Sequence, residues 1–170
     1  MTEVERHPVA LVVEALVAAL LAETAPTRAY SKTVYVLDDR NLVPEEAPTP
    51  FFGIFVGTGV QSSRTADDQS WTWPIDVAAY QVLEAPAPGG RQTGLAPHAP
   101  PARAGLLDLA WAVNRTLRGR GLGAKWGTLE ILGDGPSEAV LAVDQESASA
   151  LVRRAVKLEF SWQGSFTDRL

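Results

Sequence analysis

At 170 residues, with 46% apolar and 21% charged side chains, the chain can build one domain around its own core and is neither disordered nor fibrous. A formal charge of -5 and a pI near 5.0 argue against a general attraction to nucleic-acid phosphates or anionic lipid. The sequence has no cysteine, which excludes a disulfide framework, thiolate catalysis and cysteine-bound zinc.

The first expected element is a helix. The run "VALVVEALVAALLAE" after Pro8 is shorter than the ~18 apolar residues of a membrane span, and Glu14 interrupts it. Glu3 and Glu5 outweigh Arg6 where a signal peptide would be basic. A core helix fits instead: Pro8 suits the first turn, Val9, Val12, Val13, Leu16, Val17 and Leu20 form a broad apolar face, and Thr24 to Pro26 stop it.

"YSKTVYVLDDRN" follows as a strand closed by a turn, and "VPEEAPTP" as a stiff surface connection. "FFGIFVG", residues 51–57, is a continuous apolar run of strand length, expected to be buried on both faces. The chain then spends "TGVQSSRTADDQS" on polar residues before returning as "WTWPIDVAAYQVL". The two apolar runs are expected to pair as an antiparallel hairpin whose polar middle projects past the sheet. Trp71, Trp73, Ile75 and Val77 share one face, alternating with Thr72 and Asp76. Pro74 has no donor, so this stretch reads either as an edge or as a bulge, and a bulge would explain the change of phase toward Tyr80 and Val82.

Residues 84–103, rich in Pro, Gly and Ala, cannot supply a packed core and read as an extended surface loop. "GLLDLAWAVNRTLRGRG" is a second helix with Leu106, Leu109, Ala110, Val113 and Leu117 inward and Gly119 or Gly121 as its cap. Arg115, Arg118 and Arg120 gather at its end, where cations complement the helix dipole. "GTLEILGDGPSEAVLAVDQE" reads as two strands around a Gly-Asp-Gly-Pro-Ser turn. In "ALVRRAVKLEFSWQ" Val152, Val156, Leu158, Phe160 and Trp162 face one way, Arg153, Lys157, Glu159 and Ser161 the other, and Arg154 falls out of phase. The expected fold is a single α+β domain over 1–170, an antiparallel or mixed β-sheet packed against two helices with a long projecting β-hairpin.

Signals for chemistry are weak. His7 and His98 have no partner at a motif spacing and read as solvated. The pairs Asp38-Asp39 and Asp67-Asp68 read as turn residues rather than a cation site. "GTG" lacks the third glycine of a dinucleotide fingerprint, and "GRGLGAKWG" has no hydroxyl residue after Lys125 to complete a phosphate loop. Most of the five tryptophans are expected in the core. No catalytic residue, metal ligand or cofactor site emerges.

The order of motifs, an N-terminal helix, "PTPFFGIFVGTG", a polar arm, "QSWTWPIDVAAYQVLEA", a helix beginning "GLLDLAWAVNRTL" and a final strand "LVRRAVKLEFSW", resembles the tail terminator family of long-tailed bacteriophages, relatives of the lambda minor tail protein U. The resemblance implies a structural protein without an active site that assembles as a hexameric ring on the head-proximal end of a tail tube. It would stop tube growth and offer the surface that joins the head connector, while DNA passes through the lumen without specific binding. Its partners would be other copies of itself, the tail tube protein and the head-completion protein, with no membrane. Gln61, Ser62, Ser63, Arg64, Thr65, Asp67, Asp68, Gln69 and Trp71 are then the candidate contacts with the neighbouring subunit or the tube, polar when free and covered on assembly. Another neck or tube-related ring protein is the alternative within virion assembly. A small-molecule-binding or enzymatic domain, recognisable by a concave pocket with convergent polar groups, is the alternative from another class.

Overall fold

A computed structural model describes residues 6–22, 33–38, 50–65, 67–83, 106–118, 127–134, 138–144 and 149–165. Its elements are α1 (Pro8–Ala22), β1 (Val34–Val36), β2 (Phe51–Val56), β3 (Val60–Arg64), β4 (Asp68–Leu83), α2 (Leu106–Leu117), β5 (Gly127–Asp134), β6 (Glu138–Asp144) and β7 (Ser149–Ser165). The helix stop at Thr24–Pro26, Asp39, the Pro-rich segment with His98, the cap glycines Gly119 and Gly121 with Arg120, and the side chains of Val82 and Val152 lie outside the described residues.

The seven strands form one mixed sheet on two helices, an α+β fold. Its centre is the antiparallel pairing of β4 with β7, which runs from Asp68↔Ser165 to Leu83↔Ala150 without a shift of register. β2 and then β3 line the other side of β4, and β5 and then β6 line the other side of β7. β1 runs parallel to β2. Each central strand is thus continuous, and each flank is broken in two.

Both breaks differ from the sequence reading. β5 and β6 are both antiparallel to β7, so they run in the same direction, one after the other along β7, and do not pair with each other as a hairpin. The break between β2 and β3 explains Pro74. This proline is neither on an edge nor at a bulge of its own strand: it pairs in register with Glu159, with β2 and β3 on the other side. Its carbonyl accepts the Gly57 N–H at 2.8 Å. In an extended strand the N and C=O of one residue point to the same side, so the missing donor faces Gly57, where the ladder with β2 ends and the break before β3 begins. The bulge sits in the partner, where the register moves from Val56↔Ile75 to Val60↔Thr72. A Cβ on Gly57 would stand 2.6 Å from the Pro74 ring, so the glycine makes room for the proline.

The polar stretch also departs from expectation. Residues 60–64 are strand, and β4 beside them is flanked by β7 as far as Ser165. The tip is therefore the end of a three-stranded sheet and not a two-stranded arm standing clear of the body.

The strands have two apolar faces. On the first, Phe52, Ile54, Ile75, Val77, Ala79, Val156, Leu158, Phe160 and Trp162 meet Val9, Val12, Leu16 and Leu20 of α1 and Leu106, Leu109, Ala110, Val113 and Leu117 of α2. On the second, Phe51, Phe55, Ala78, Tyr80 and Ala155 form a smaller cluster with Tyr35 and Leu37. Tyr80 lies there because period 2 continues unbroken through β4, with no change of phase. It stacks on its register partner Phe51 at 4.6 Å. Asp76 and Lys157, also register partners, form a 3.0 Å ion pair. Arg154 is in phase with Val156, and its guanidinium reaches Asp134 at 2.7 Å where the apolar face ends.

Phe160 is fully buried at the centre of the larger cluster. Phe160→Asp is expected to abolish cooperative unfolding, because it removes about 1.5–3 kcal/mol of burial and leaves an unpaired charge in the core. Phe160→Ala should cost about 3–5 kcal/mol in urea titration. A near-native melting temperature for the aspartate variant would show that this face is not the core.

Candidate functional site

Toward the tip, the helix-bearing face of the sheet becomes aromatic. Trp71 and Trp73, two residues apart on β4, stack at 5.9 Å with 17° between planes, and Trp73 stacks on Phe160 at 6.0 Å. Phe160 and Trp162 are buried while Trp71 and Trp73 are half-buried, so a file of rings rises from the core toward solvent. Trp111, by contrast, is 61% exposed. Of the four tryptophans described, Trp162 is buried in the core, Trp71 and Trp73 are half-buried and packed against it, and Trp111 stands exposed.

The start of α1 closes one side of this aromatic surface. His7 precedes Pro8, its carbonyl accepts the Ala10 N–H, and its Nδ1 accepts the Val9 N–H at 3.2 Å. The imidazole thus does the work of an N-cap oxygen. Its ring also meets Trp73 edge-on at 5.2 Å and 89°, which ties the helix start to the sheet. The sequence signal was a polar side chain directly before an N1 proline, which the solvated reading of His7 passed over. On the other side Gly59 lies against the Trp73 indole so closely that a Cβ would overlap it.

Together these residues enclose a cleft of about 320 Å³ lined by His7, Pro8, Gly59, Gln69, Trp71, Trp73 and Trp162. The Trp71 Nε1–H donates to Gln69 Oε1 at 3.1 Å. The Trp162 Nε1–H is buried with no acceptor among the described residues. Among the described lining residues the polar side chains are one imidazole, one amide and the indole N–H groups, set in a mostly aromatic wall.

The nine candidate contact residues divide between this cleft and the tip. Gln69 and Trp71 are half-buried, and both line the cleft. Gln61, Ser62, Ser63, Arg64, Thr65, Asp67 and Asp68 are exposed. The Ser62 and Ser63 hydroxyls lie 2.9 and 2.6 Å from that of Ser70. Thr65 closes the turn, its N–H donating to the Asp68 carbonyl and its Oγ1 accepting the Asp68 N–H at 3.0 Å. Asp67 and Asp68 therefore sit at a turn, as read, although the capping oxygen belongs to Thr65. Among the described residues β3 pairs with β4 alone, so its outer edge offers backbone donors and acceptors to solvent.

A second cleft of about 380 Å³ opens on the opposite face, lined by Asp38, Phe55, Val56, Gly57, Thr58, Pro74 and Asp76. The Asp76 charge is met by Lys157, and the described residues contain no group of three metal-ligating side chains. No described helix is long and apolar enough to cross a membrane.

Sequence reasoning also missed the exposed side of α2. Leu107 and Trp111 are one helical turn apart and outside the inward series, and the Arg118 guanidinium lies 6.0 Å from the Trp111 ring centroid instead of only complementing the helix end. No protein-family model matches the sequence, and no significant match exists among curated proteins.

Trp162→Phe is expected to shift the unfolding free energy by no more than about 1 kcal/mol, since the smaller ring loses packing but also removes an unsatisfied buried donor. Trp162→Ala should cost about 3–5 kcal/mol. Urea denaturation of both variants checks this; a large loss for the phenylalanine variant would mean that the indole N–H has a partner.

Proposed function

We propose that the chain is a structural virion protein, a tail-terminator-like subunit that closes as a hexameric ring on the head-proximal end of a phage tail tube. The ring ends tube polymerisation and presents the surface to which the head-completion protein binds. It is assembled in the host cytoplasm and remains in the virion, with DNA passing through its lumen.

The observation that carries this reading is the order of elements. The segments that bear the family resemblance correspond in turn to β2, the polar β3 tip, β4, α2 and β7, a helix–sheet order with a polar tip beside two long central strands. Supporting it are a mostly aromatic cleft whose described lining holds no carboxylate, an edge strand open to a partner and a net negative charge suited to a pore that DNA must traverse without sticking. The aromatic cleft favours a second reading, a small-molecule-binding domain, since its volume lies at the lower end of ligand sites, roughly 300 Å³ and above.

Negative-stain microscopy of the concentrated protein, with its mass in solution, separates the two. Closed rings with six times the chain mass, binding one end of isolated tail tubes, are expected. Rings that bind the head portal instead of tubes would favour a neck protein, and a monomer that binds small aromatic or sugar ligands would favour the second reading. Replacing residues 62–69 by Asn-Gly should leave cooperative unfolding intact, because six of the seven candidate contacts it removes are solvent-exposed, yet abolish tube capping. Loss of cooperative unfolding would show instead that the tip belongs to the core.

A further inference from the structure

We infer that neighbouring copies in the ring meet through a knob and a hole: Trp111 of one copy enters the aromatic cleft of the next, with Arg118 beside the Asp67–Asp68 turn. The inference rests on the ring reading and specifies its subunit contact.

The knob is an anomaly of α2. The inward side of this helix is fully used, with Leu106, Leu109, Ala110, Val113 and Leu117 all buried. Leu107 and Trp111 nevertheless stand 45% and 61% exposed on the opposite side. Arg118 lies against the indole at 6.0 Å, which braces one side of the ring and leaves the rest to a partner. Tryptophan backed by arginine is the composition found at the centres of protein interfaces, where a few such residues carry most of the binding free energy.

The hole is the cleft lined by His7, Trp71, Trp73 and Trp162, whose volume of about 320 Å³ exceeds that of one indole. Its walls are flat rings, the surface against which another ring stacks best.

Charge selects the orientation. The chain carries a net charge of -5, so two copies brought together at random repel. Exposed Asp67 and Asp68 immediately precede Gln69, a wall of the cleft, whereas the knob carries exposed Arg118. With exposed Arg64 opposite Gln69 in register the rim keeps a net negative charge, so knob to hole sets a cation beside a net negative rim, while a two-fold contact of hole against hole sets two net negative rims together. Because knob and hole are different surfaces, the contact is head-to-tail, and head-to-tail contacts generate rings or filaments rather than pairs.

The test uses the full chain in sedimentation analysis over a range of concentrations, with the melting temperature as the folding control. Trp111→Ala should weaken self-association by roughly thirtyfold or more without altering the melt. Arg118→Asp and Asp68→Arg should each weaken it, and the two together should recover most of the loss, a coupling that independent surface changes do not show. A Trp111→Ala chain mixed with a Trp71→Ala chain retains one intact knob and one intact hole, so the mixture should stop at heterodimers. Wild-type association unchanged by Trp111→Ala overturns the contact and leaves the ring reading standing. Association that depends on Trp111 but ends in open filaments keeps the contact and overturns the ring, whereas association that stops at dimers overturns the head-to-tail contact. A wild-type monomer at the highest concentration overturns both.

Discussion

The pairing of β4 with β7 is the constraint on which the rest of the molecule depends. Every other strand except β1 takes its place by pairing with one of these two. An unshifted register from one end to the other fixes which side chains of both strands point to the helices. A slip by one residue would send Phe160 and Trp162 to the opposite face and bring Glu159 and Ser161 under α1 and α2, an exchange of large apolar groups for polar ones. The continuous centre also lets the flanks be irregular. β3 and β5 each contain a register shift, and these leave the core unaffected because it is anchored from the inner strands.

The aromatic surface follows from the same geometry. Period 2 puts Trp71, Trp73, Ile75 and Val77 in one line along β4, and the helices cover only the inner part of that line. Where α1 begins, the line emerges half-buried, and His7 joins helix to sheet through a backbone cap and a ring contact at once. The glycines opposite these rings complete the fit: Gly59 lies under Trp73 and Gly164 beside Trp162, and a Cβ at either would collide with the indole. The cleft is thus a product of strand phase, helix start and glycine placement, not of a dedicated loop.

Much of this was legible in the sequence. The apolar run at 51–57 was read as buried on both faces; residues 51–55 are, while Val56 and Gly57 at its end are exposed. The alternation of Val156, Leu158, Phe160 and Trp162 and the inward faces of both helices were equally direct, because a period of 2 or 3.6 is a local property. What was not legible is what depends on neighbours. Pro74 looks incompatible with a central strand until Gly57–Gly59 is seen opposite it. Tyr80 looks out of phase only if a strand has one apolar face. The Gly-Asp-Gly-Pro-Ser segment has the composition of a hairpin turn, and composition does not record that β7 offers an edge along which β5 and β6 both pair. The exposure of Trp111 was hidden because a helix pattern shows which residues face inward without showing what becomes of an apolar residue left outside.

The central pairing also determines when the fold comes into being. Asp76 and Lys157, side by side across the two inner strands, are 81 positions apart in sequence. Closing a loop of that length costs roughly 4 kcal/mol of chain entropy before any contact repays it, and contacts of such range make folding slow. Until β7 arrives, β4 has one bare edge and Ile75 and Val77 lack half of their packing. β2, β3 and β4 can associate early, but they wait for the last strand described here before they are part of a sheet with a closed core. The apolar face of this sheet is therefore closed only when β7 is in place.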